Sequence, residues 1–250
     1  MKIALITGGS RGLGKSMALF LAQKGCNVVI TYQKNHEEAQ NVVCAIEAMG
    51  KKALALQLDV SQSATFTAFA IELETCLKTC WQQAYLDIVI NNAGIGINKA
   101  FSQTSEEEFD LLMNLHLKGV FFLTQKLLPM IKDGGKILNV STGLTRFSIP
   151  GYAAYATMKG AIEVLTHYLA LELGQRQIRV NVIAPGAIET DFAGGVNRDN
   201  EEINRYIASQ IALGRVGLPE DIGAAVSLLV SDDASWINGQ RIEVSGGMRL

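Results

Sequence analysis

Tyr155 and Lys159 are four residues apart, and the run Gly160-Ala161-Ile162-Glu163-Val164-Leu165 after them reads as helix. On a helix this spacing stacks the two side chains on one face, so both heads can act on one substrate atom. A phenol titrates near pH 10 and is a poor proton donor-acceptor for carbonyl chemistry at neutral pH unless its anion is stabilised. A lysine cation about 5 Å away, at an effective dielectric of about 20, is worth roughly 3 kcal/mol and would bring the phenol down by about two units. Proton transfer at a carbonyl or alcohol oxygen is the chemistry such a pair could do. Tyrosine and lysine share a face on many helices, so the pair gains weight only from what the rest of the chain brings beside it.

The amino terminus brings a phosphate cradle. Lys2 to Thr7 reads as a short buried strand that runs into Thr7-Gly8-Gly9-Ser10-Arg11-Gly12-Leu13-Gly14, and Leu13, Met17 and Leu21 then recur at helical spacing up to a glycine cap at Gly25. Glycines let the backbone approach a pyrophosphate, and the helix amino terminus offers free N–H groups with a partial positive charge. The next strand, Asn27 to Tyr32, ends where a dinucleotide fold selecting NAD commonly places an acid for the ribose 2′-hydroxyl. This chain has Thr31-Tyr32-Gln33-Lys34 there, with Arg11 in the turn, a local charge that suits a 2′-phosphate and favours NADP(H) over NAD(H).

Further polar residues fall at later strand ends. Ala53 to Leu58 stops at Asp59-Val60, where Asp59 either touches a nucleotide base or begins the turn into a helix from Ser61 to Trp81. Leu86 to Ile90 is followed by Asn91-Asn92-Ala93-Gly94, whose small residues let a cofactor lie across the strand end. Ser105 and Glu108 form a capping-box pattern for a helical region that passes Asn114 and Gly119 and is expected to reach Lys132. Asn114, polar between Met113 and Leu115, must bond backbone or position water. Lys136 to Val140 leads to Ser141-Thr142-Gly143, and Ile178 to Ala184 is stopped by Pro185-Gly186. The polar, glycine-bearing segment 188–213 is placed where a lid or substrate loop would sit. A helix from Pro219 to Val230 and a strand from Gln240 to Val244 close the chain.

Alternating strands and helices imply a parallel sheet with helices on both faces and a ligand crevice at the strands' carboxyl ends. The 250 residues, 48% hydrophobic and 18% charged, carry no repeat or linker and are expected to form one domain. A net charge of −2 gives no reason to expect nucleic acid or an anionic membrane as partner. The apolar stretch Leu111 to Ile131 is interrupted by Asn114, His116, Lys118, Gln125 and Lys126, so no membrane span is expected. With no signal-peptide core at the amino terminus, the expected location is cytoplasmic, with Cys26, Cys44, Cys76 and Cys80 reduced. His36, His116 and His167 are scattered, so no metal site is expected.

Over essentially its whole length the chain resembles the single-domain short-chain dehydrogenases/reductases, most of all the 3-oxoacyl-acyl-carrier-protein reductase branch. The motifs are Gly8, Gly12 and Gly14, Asp59, Asn91-Asn92-Ala93-Gly94, Asn114, Tyr155 and Lys159, Pro185-Gly186 with Thr190, and the closing Gly214-Arg215-Val216-Gly217-Leu218-Pro219 and Gly246-Gly247. The resemblance implies a Rossmann-type doubly wound α/β sheet of about seven strands with helices on both faces, and a homotetramer, which the apolar Ala224 to Val230 and Trp236-Ile237 also suggest. It implies a catalytic set of Asn114, Thr142, Tyr155 and Lys159. Thr142 stands where the family has serine, thirteen residues before the tyrosine, and Ser141 should face the other way. Cofactor contacts are implied for Gly8, Ser10, Arg11, Gly12, Leu13, Gly14, Tyr32, Lys34, Asp59, Val60, Asn91, Ala93 and Gly94, and for Tyr155, Lys159, Pro185, Gly186, Ile188 and Thr190. The implied reaction moves a hydride between NADP(H) and a ketone or secondary alcohol, with a 3-oxoacyl thioester first among the substrates. Another small ketone, a sugar or a steroid-like alcohol is the alternative within the same chemistry. A nucleotide-sensing regulator without turnover is the rival from another class, against which the intact Tyr155-Lys159 pair argues. Acyl-carrier reductases of that branch place two arginines at the entrance. Here Arg176 matches one, whereas Asp133 stands at the other and would repel an acidic carrier.

Overall fold

The computed structural model describes residues 1–250. Seven strands form one parallel sheet in the order β3-β2-β1-β4-β5-β6-β7: β1 Ile3–Ile6, β2 Asn27–Tyr32, β3 Ala53–Gln57, β4 Leu86–Asn91, β5 Ile131–Val140, β6 Arg179–Pro185 and β7 Arg241–Val244. Strand order reverses between β1 and β4, which opens a crevice at the carboxyl ends there. Successive residues of β1 serve opposite faces, as a doubly covered sheet requires. Ala4 and Ile6 join one core with Met17, Leu21, Val42, Ile46, Ile222 and Val226, from helices α1 Gly12–Gln23, α2 His36–Glu47 and α9 Pro219–Leu229. Ile3 and Leu5 join the other core, with Phe66, Leu73 and Leu77 of α3 Phe66–Trp81, Leu123 and Leu127 of α5 Gly119–Leu127, and Ala170 of α6 Ala153–Glu172.

Several boundaries differ from the sequence reading. The helix expected to reach Lys132 ends at Leu127, because Pro129 has no N–H to continue the ladder; a 3₁₀ turn at Leu128–Met130 follows, and β5 starts at Ile131. The same helical region is not continuous upstream. After α4, Glu106–Met113, the residues Asn114–Lys118 form a π turn in which the Gly119 N–H bonds the Asn114 carbonyl. A side-chain carbon at Gly119 would lie 2.3 Å from the Val60 carbonyl, so the turn closes against the end of β3 only because the residue is glycine. The Ser105–Glu108 capping box is formed in both directions. Segment 188–213 is largely helical, with a 3₁₀ turn at Phe192–Gly195, then α7 Val196–Asp199 and α8 Glu201–Ala208. No helix is long and apolar enough to cross a membrane.

Candidate active site

The glycine turn is built by strand ends. Thr7, the residue after β1, accepts the Asn92 and Ala93 N–H groups on its Oγ1, both at 3.0 Å, and Thr31 Oγ1 accepts the Gly8 N–H at 3.2 Å. Asn92 Nδ2 donates to the Thr7 and Gly8 carbonyls at 2.9 and 3.1 Å. Gly8 needs its positive φ of 65°, and a side-chain carbon at Gly14 would lie 2.1 Å from the Gly8 carbonyl oxygen. Thr7 and Thr31 are not among the candidate residues of the sequence, and Asn92 is there only as part of its four-residue motif; their signal is a small polar residue at each strand end flanking the turn. At the start of α1 the cap residue, Arg11, makes no side-chain capping bond, whereas α2, α4 and α8 are capped by Asn35, Ser105 and Asn200. Free N–H groups facing a glycine turn fit a pyrophosphate held by Gly8, Ser10, Gly12, Leu13 and Gly14.

At the neighbouring strand ends, Gln33, Lys34, Gln57, Leu58, Asp59 and Gln62 line a depression of about 450 Å³. No carboxylate stands at Tyr32; its hydroxyl bonds His36 Nδ1 at 2.8 Å. Asp59 accepts the Ser61 N–H and hydroxyl at 2.9 and 2.7 Å and the Gln33 amide at 2.9 Å. These bonds hold its carboxyl below the usual range against the opposing effect of burial. Arg11 is largely exposed and 3.9 Å from Asp191, so its charge is shared with the segment after β6.

Three expected cofactor residues turn their side chains elsewhere. Asn91 is buried, donating to Thr124 Oγ1 at 3.0 Å and Asn139 Oδ1 at 2.8 Å. Val60 and Ile188 are buried in the two cores. Each sits on the inward side of a strand end, which leaves only its backbone for a ligand. Thr190 is close to the turn, its side chain 3.7 Å from where a Gly12 side-chain carbon would stand, and Gly186 packs on Ser245. Ala93 and Gly94 lie across the crevice, against Gly8 and His116 respectively.

Tyr155 and Lys159 are both buried on α6, with Lys159 Nζ 5.8 Å from the Tyr155 ring centre. Lys159 Nζ donates to the Val140 carbonyl at 2.7 Å. The expected depression of the phenol is not met: burial pushes Tyr155 above its ordinary value, opposed by the nearby Thr142 hydroxyl. Burial likewise lowers the Lys159 ammonium to about 7. Desolvation of both charges, which spacing along a helix does not reveal, dominates here. A phenol kept protonated is a proton donor at neutral pH, the form that reduction of a carbonyl requires.

Ser141 turns away from the phenol and donates to Glu163 Oε1 at 2.6 Å, while Thr142 directs its hydroxyl to the site and accepts the Leu144 N–H at 3.3 Å. Asn114 is half-buried, and its side chain makes no hydrogen bond to the protein. The polar residue of this helical segment that packs on Tyr155 is His116, 5.2 Å between ring centres and nearly perpendicular. His116 is 1% exposed, bonds the Ile95 carbonyl through Nε2 at 2.8 Å, and leaves Nδ1 without a partner. Burial and the nearby Lys159 charge hold it at about 3, so it is neutral at working pH. In the sequence His116 is one of three scattered histidines; the π turn, invisible in the apolar pattern, is what aims it inward. Tyr152 and Phe192 complete an aromatic surround, with ring centres 6.2 and 5.8 Å from Tyr155. Phe192 reaches in from segment 188–213 because residue 96 is glycine; a side-chain carbon there would lie 2.7 Å from its ring.

Comparison with known proteins agrees with this geometry. A family model described as enoyl-(acyl carrier protein) reductase matches residues 8–249. A hydroxynaphthalene reductase-like protein, Arp2 of Metarhizium brunneum, is 35% identical over 98% of this chain and 94% of its own. The structure of LugOII, a promiscuous reductase catalysing keto-reduction at C1 in lugdunomycin biosynthesis, superposes with a TM-score of 0.95 at 34% identity, covering 100% of this chain and 98% of that one. The angucycline C-6 ketoreductase LanV, solved with bound NADP, gives 0.94 at 34% identity over 99% and 95%. The chain belongs to the short-chain dehydrogenase/reductase family and is an oxidoreductase. These relatives are a hydroxynaphthalene reductase-like protein and two ketoreductases, so the expected 3-oxoacyl-acyl-carrier branch gains no support from them.

Proposed function

We propose that the protein is an NADP(H)-dependent ketoreductase of a planar, aromatic or polycyclic ketone. The observation that carries this reading is that Tyr152 and the exposed Phe192 flank Tyr155 and offer ring faces and edges to a flat substrate, while buried His116 backs the phenol from inside. In this reading Thr142 donates to the carbonyl oxygen, Tyr155 delivers the proton to it, and Lys159, held at Val140, supplies the charge that follows proton loss. The nicotinamide supplies the hydride. Gly8, Ser10, Gly12, Leu13 and Gly14 would hold the pyrophosphate, Asp59 and the backbones of Val60, Asn91 and Ala93 would border the adenosine, and Pro185, Gly186 and Thr190 would border the nicotinamide. Arg11 and Lys34 would bind the 2′-phosphate.

A 3-oxoacyl thioester, the substrate first implied by the resemblance, is the second reading; the matching family model's description shares the acyl-carrier thioester with it but names an enoyl group in place of the ketone. NADPH oxidation measured with a bicyclic ring ketone of the tetralone type and with an acetoacetyl thioester separates the two. The ring ketone should give at least about tenfold higher kcat/KM, as expected from one or two kcal/mol of ring contact. A thioester preference would replace this reading with the second, and cofactor binding with oxidation by neither would favour a sensor.

A homotetramer is part of the same proposal. Leu228 and Trp236 near the carboxyl end are 65% and 98% exposed, and α6 presents Val164, Tyr168 and Leu171 to solvent. Two separate apolar faces suit assembly along two axes. Light scattering at micromolar concentration checks it, and a monomer would count against it.

A further inference from the structure

Behind the site, one carboxylate ties the Thr142 turn to the helix of Tyr155. Glu163 lies on α6 one turn beyond Lys159 and two beyond Tyr155. Its Oε1 accepts from Ser141 Oγ at 2.6 Å, Thr145 Oγ1 at 2.7 Å and Arg241 Nε at 2.8 Å. Arg241, the first residue of β7, also donates to the Thr142 carbonyl at 3.1 Å, to Thr145 Oγ1 at 3.2 Å and to Glu243 Oε2 at 3.0 Å. Glu243 is in turn bridged by Arg146, which follows the turn. Residues on both sides of Thr142 are therefore bound to one oxygen, and its own carbonyl is bound by the guanidinium. The Thr142 hydroxyl accepts the Leu144 N–H at 3.3 Å and keeps its own hydrogen to donate, on extended backbone with φ −159° and ψ 156°.

We propose that the Glu163–Arg241 ion pair is the positioning device for Thr142, fixing the distance between its hydroxyl and that of Tyr155. The inference rests on the role given to Thr142 and Tyr155 in the proposed function. Arg241 and Glu163 are 22% and 17% exposed, so the pair is shielded enough to hold a defined geometry. The planar fork of arginine reaches four acceptors at once, which a lysine point charge cannot reproduce. Neither residue touches the reacting oxygen; both act through the turn. A misplacement of about 1 Å at a reacting group costs on the order of 100-fold in rate, which sets the scale for the loss.

The test is a double-mutant cycle on kcat with saturating NADPH and one ring ketone, using Arg241→Gln and Thr142→Ala singly and together. Arg241→Gln should lower kcat by about 10- to 100-fold while the KM for NADPH stays within about twofold. In the Thr142→Ala background the same change should cost less than about threefold, because the hydroxyl it positions is gone. Equal losses in both backgrounds would show a general structural role and overturn the proposal. If Arg241→Gln does not fold, Glu163→Gln, which keeps a carbonyl acceptor, takes its place in the cycle under the same criterion. Thr142→Ala alone reports on the reading beneath: no loss of kcat in that single variant removes the role of Thr142, whereas a loss accompanied by additivity sinks only the positioning.

Discussion

The two halves of the crevice are built in different ways. The glycine-turn half is held by backbone and by short polar residues next to it in the sheet: Thr31 and Asn92 bond main-chain groups of the turn, and Thr7 ties it to the main chain after β4. The Tyr155 half is held by side chains far apart in sequence, with His116 from a π turn, Phe192 from the segment after β6 and Arg241 from the last strand meeting around α6. A backbone-built site tolerates change in the side chains it displays but not in the space it needs. A side-chain-built site has the opposite sensitivity, and single substitutions should separate the two.

The largest effect belongs to Tyr155→Phe, which removes the proton donor and leaves the ring packing. It should lower kcat by at least about 100-fold while NADPH affinity, measured by fluorescence titration, stays near that of the parent. Near-normal turnover would sink the mechanism. On the other side, Gly14→Ala should abolish NADPH binding or folding altogether, because its new carbon would meet the Gly8 carbonyl at 2.1 Å. Retained tight binding by that variant would break the contrast between the halves.

A smaller effect is expected at Lys34. Its charge borders the depression beside Asp59, and Lys34→Ala should reduce the preference for NADPH over NADH by about tenfold, the scale of one charge-assisted bond. Parent enzyme that uses both cofactors equally well would remove the premise, and an unchanged preference in the variant would shift the selection to Arg11.

Burial of Lys159 also has a signature in stability. The unfolded chain keeps this proton up to about pH 10.5 and the folded protein loses it near 7, so between those values the unfolded state binds more protons and stability rises with pH. Cys26 and Tyr155, both raised, oppose that trend once the unfolded thiol and phenol begin to ionise near 9 and 10. The clean window is therefore about pH 7 to 8.5. Urea unfolding of the cofactor-free protein there should show a gain of at most about 1.4 kcal/mol per pH unit, and Lys159→Met should flatten it. An equal slope in both proteins would show that Lys159 is not the group responsible.

The contrast between the halves also explains what could be read in the sequence. Strand, glycine turn and helix are contiguous, so Gly8, Gly12, Gly14 and the seven parallel strands were legible from local pattern. Tyr155 and Lys159 were legible because helical spacing fixes their common face. His116 was not, since one extra residue in the π turn shifts the face that a regular helix assigns to Asn114. The phenol's upward shift was missed for a related reason: spacing gives a Coulomb distance but not the burial that outweighs it. Arg241 and Phe192 reach the site through tertiary packing alone, across 86 and 37 positions from Tyr155, and no local pattern marks them.

The smallest expected effect concerns an acyl carrier. Arg176, the one cation that matches the acyl-carrier reductases, donates to Asp133 at 2.8 Å and also bonds the carbonyls of Leu128 and Ile131. Its charge is thus paired by the very residue that replaces the second cation. Asp133 lies near the start of β5, at the opposite end of that strand from Val140 and the Thr142 turn, so the pair is not at the rim of its own crevice. Electrostatic complementarity acts on association rates and fades with salt, and a neutralised pair offers little of either to an acidic carrier. One 3-oxoacyl group presented on acyl-carrier protein and on coenzyme A should give kcat/KM values within about threefold, unchanged between low and high salt. Asp133→Arg restores the second cation and sets Arg176 free, so carrier-linked substrate alone should gain, and only at low salt. A parent enzyme that already prefers the carrier form, with a preference that fades with salt, would show that cations elsewhere on the surface do the docking.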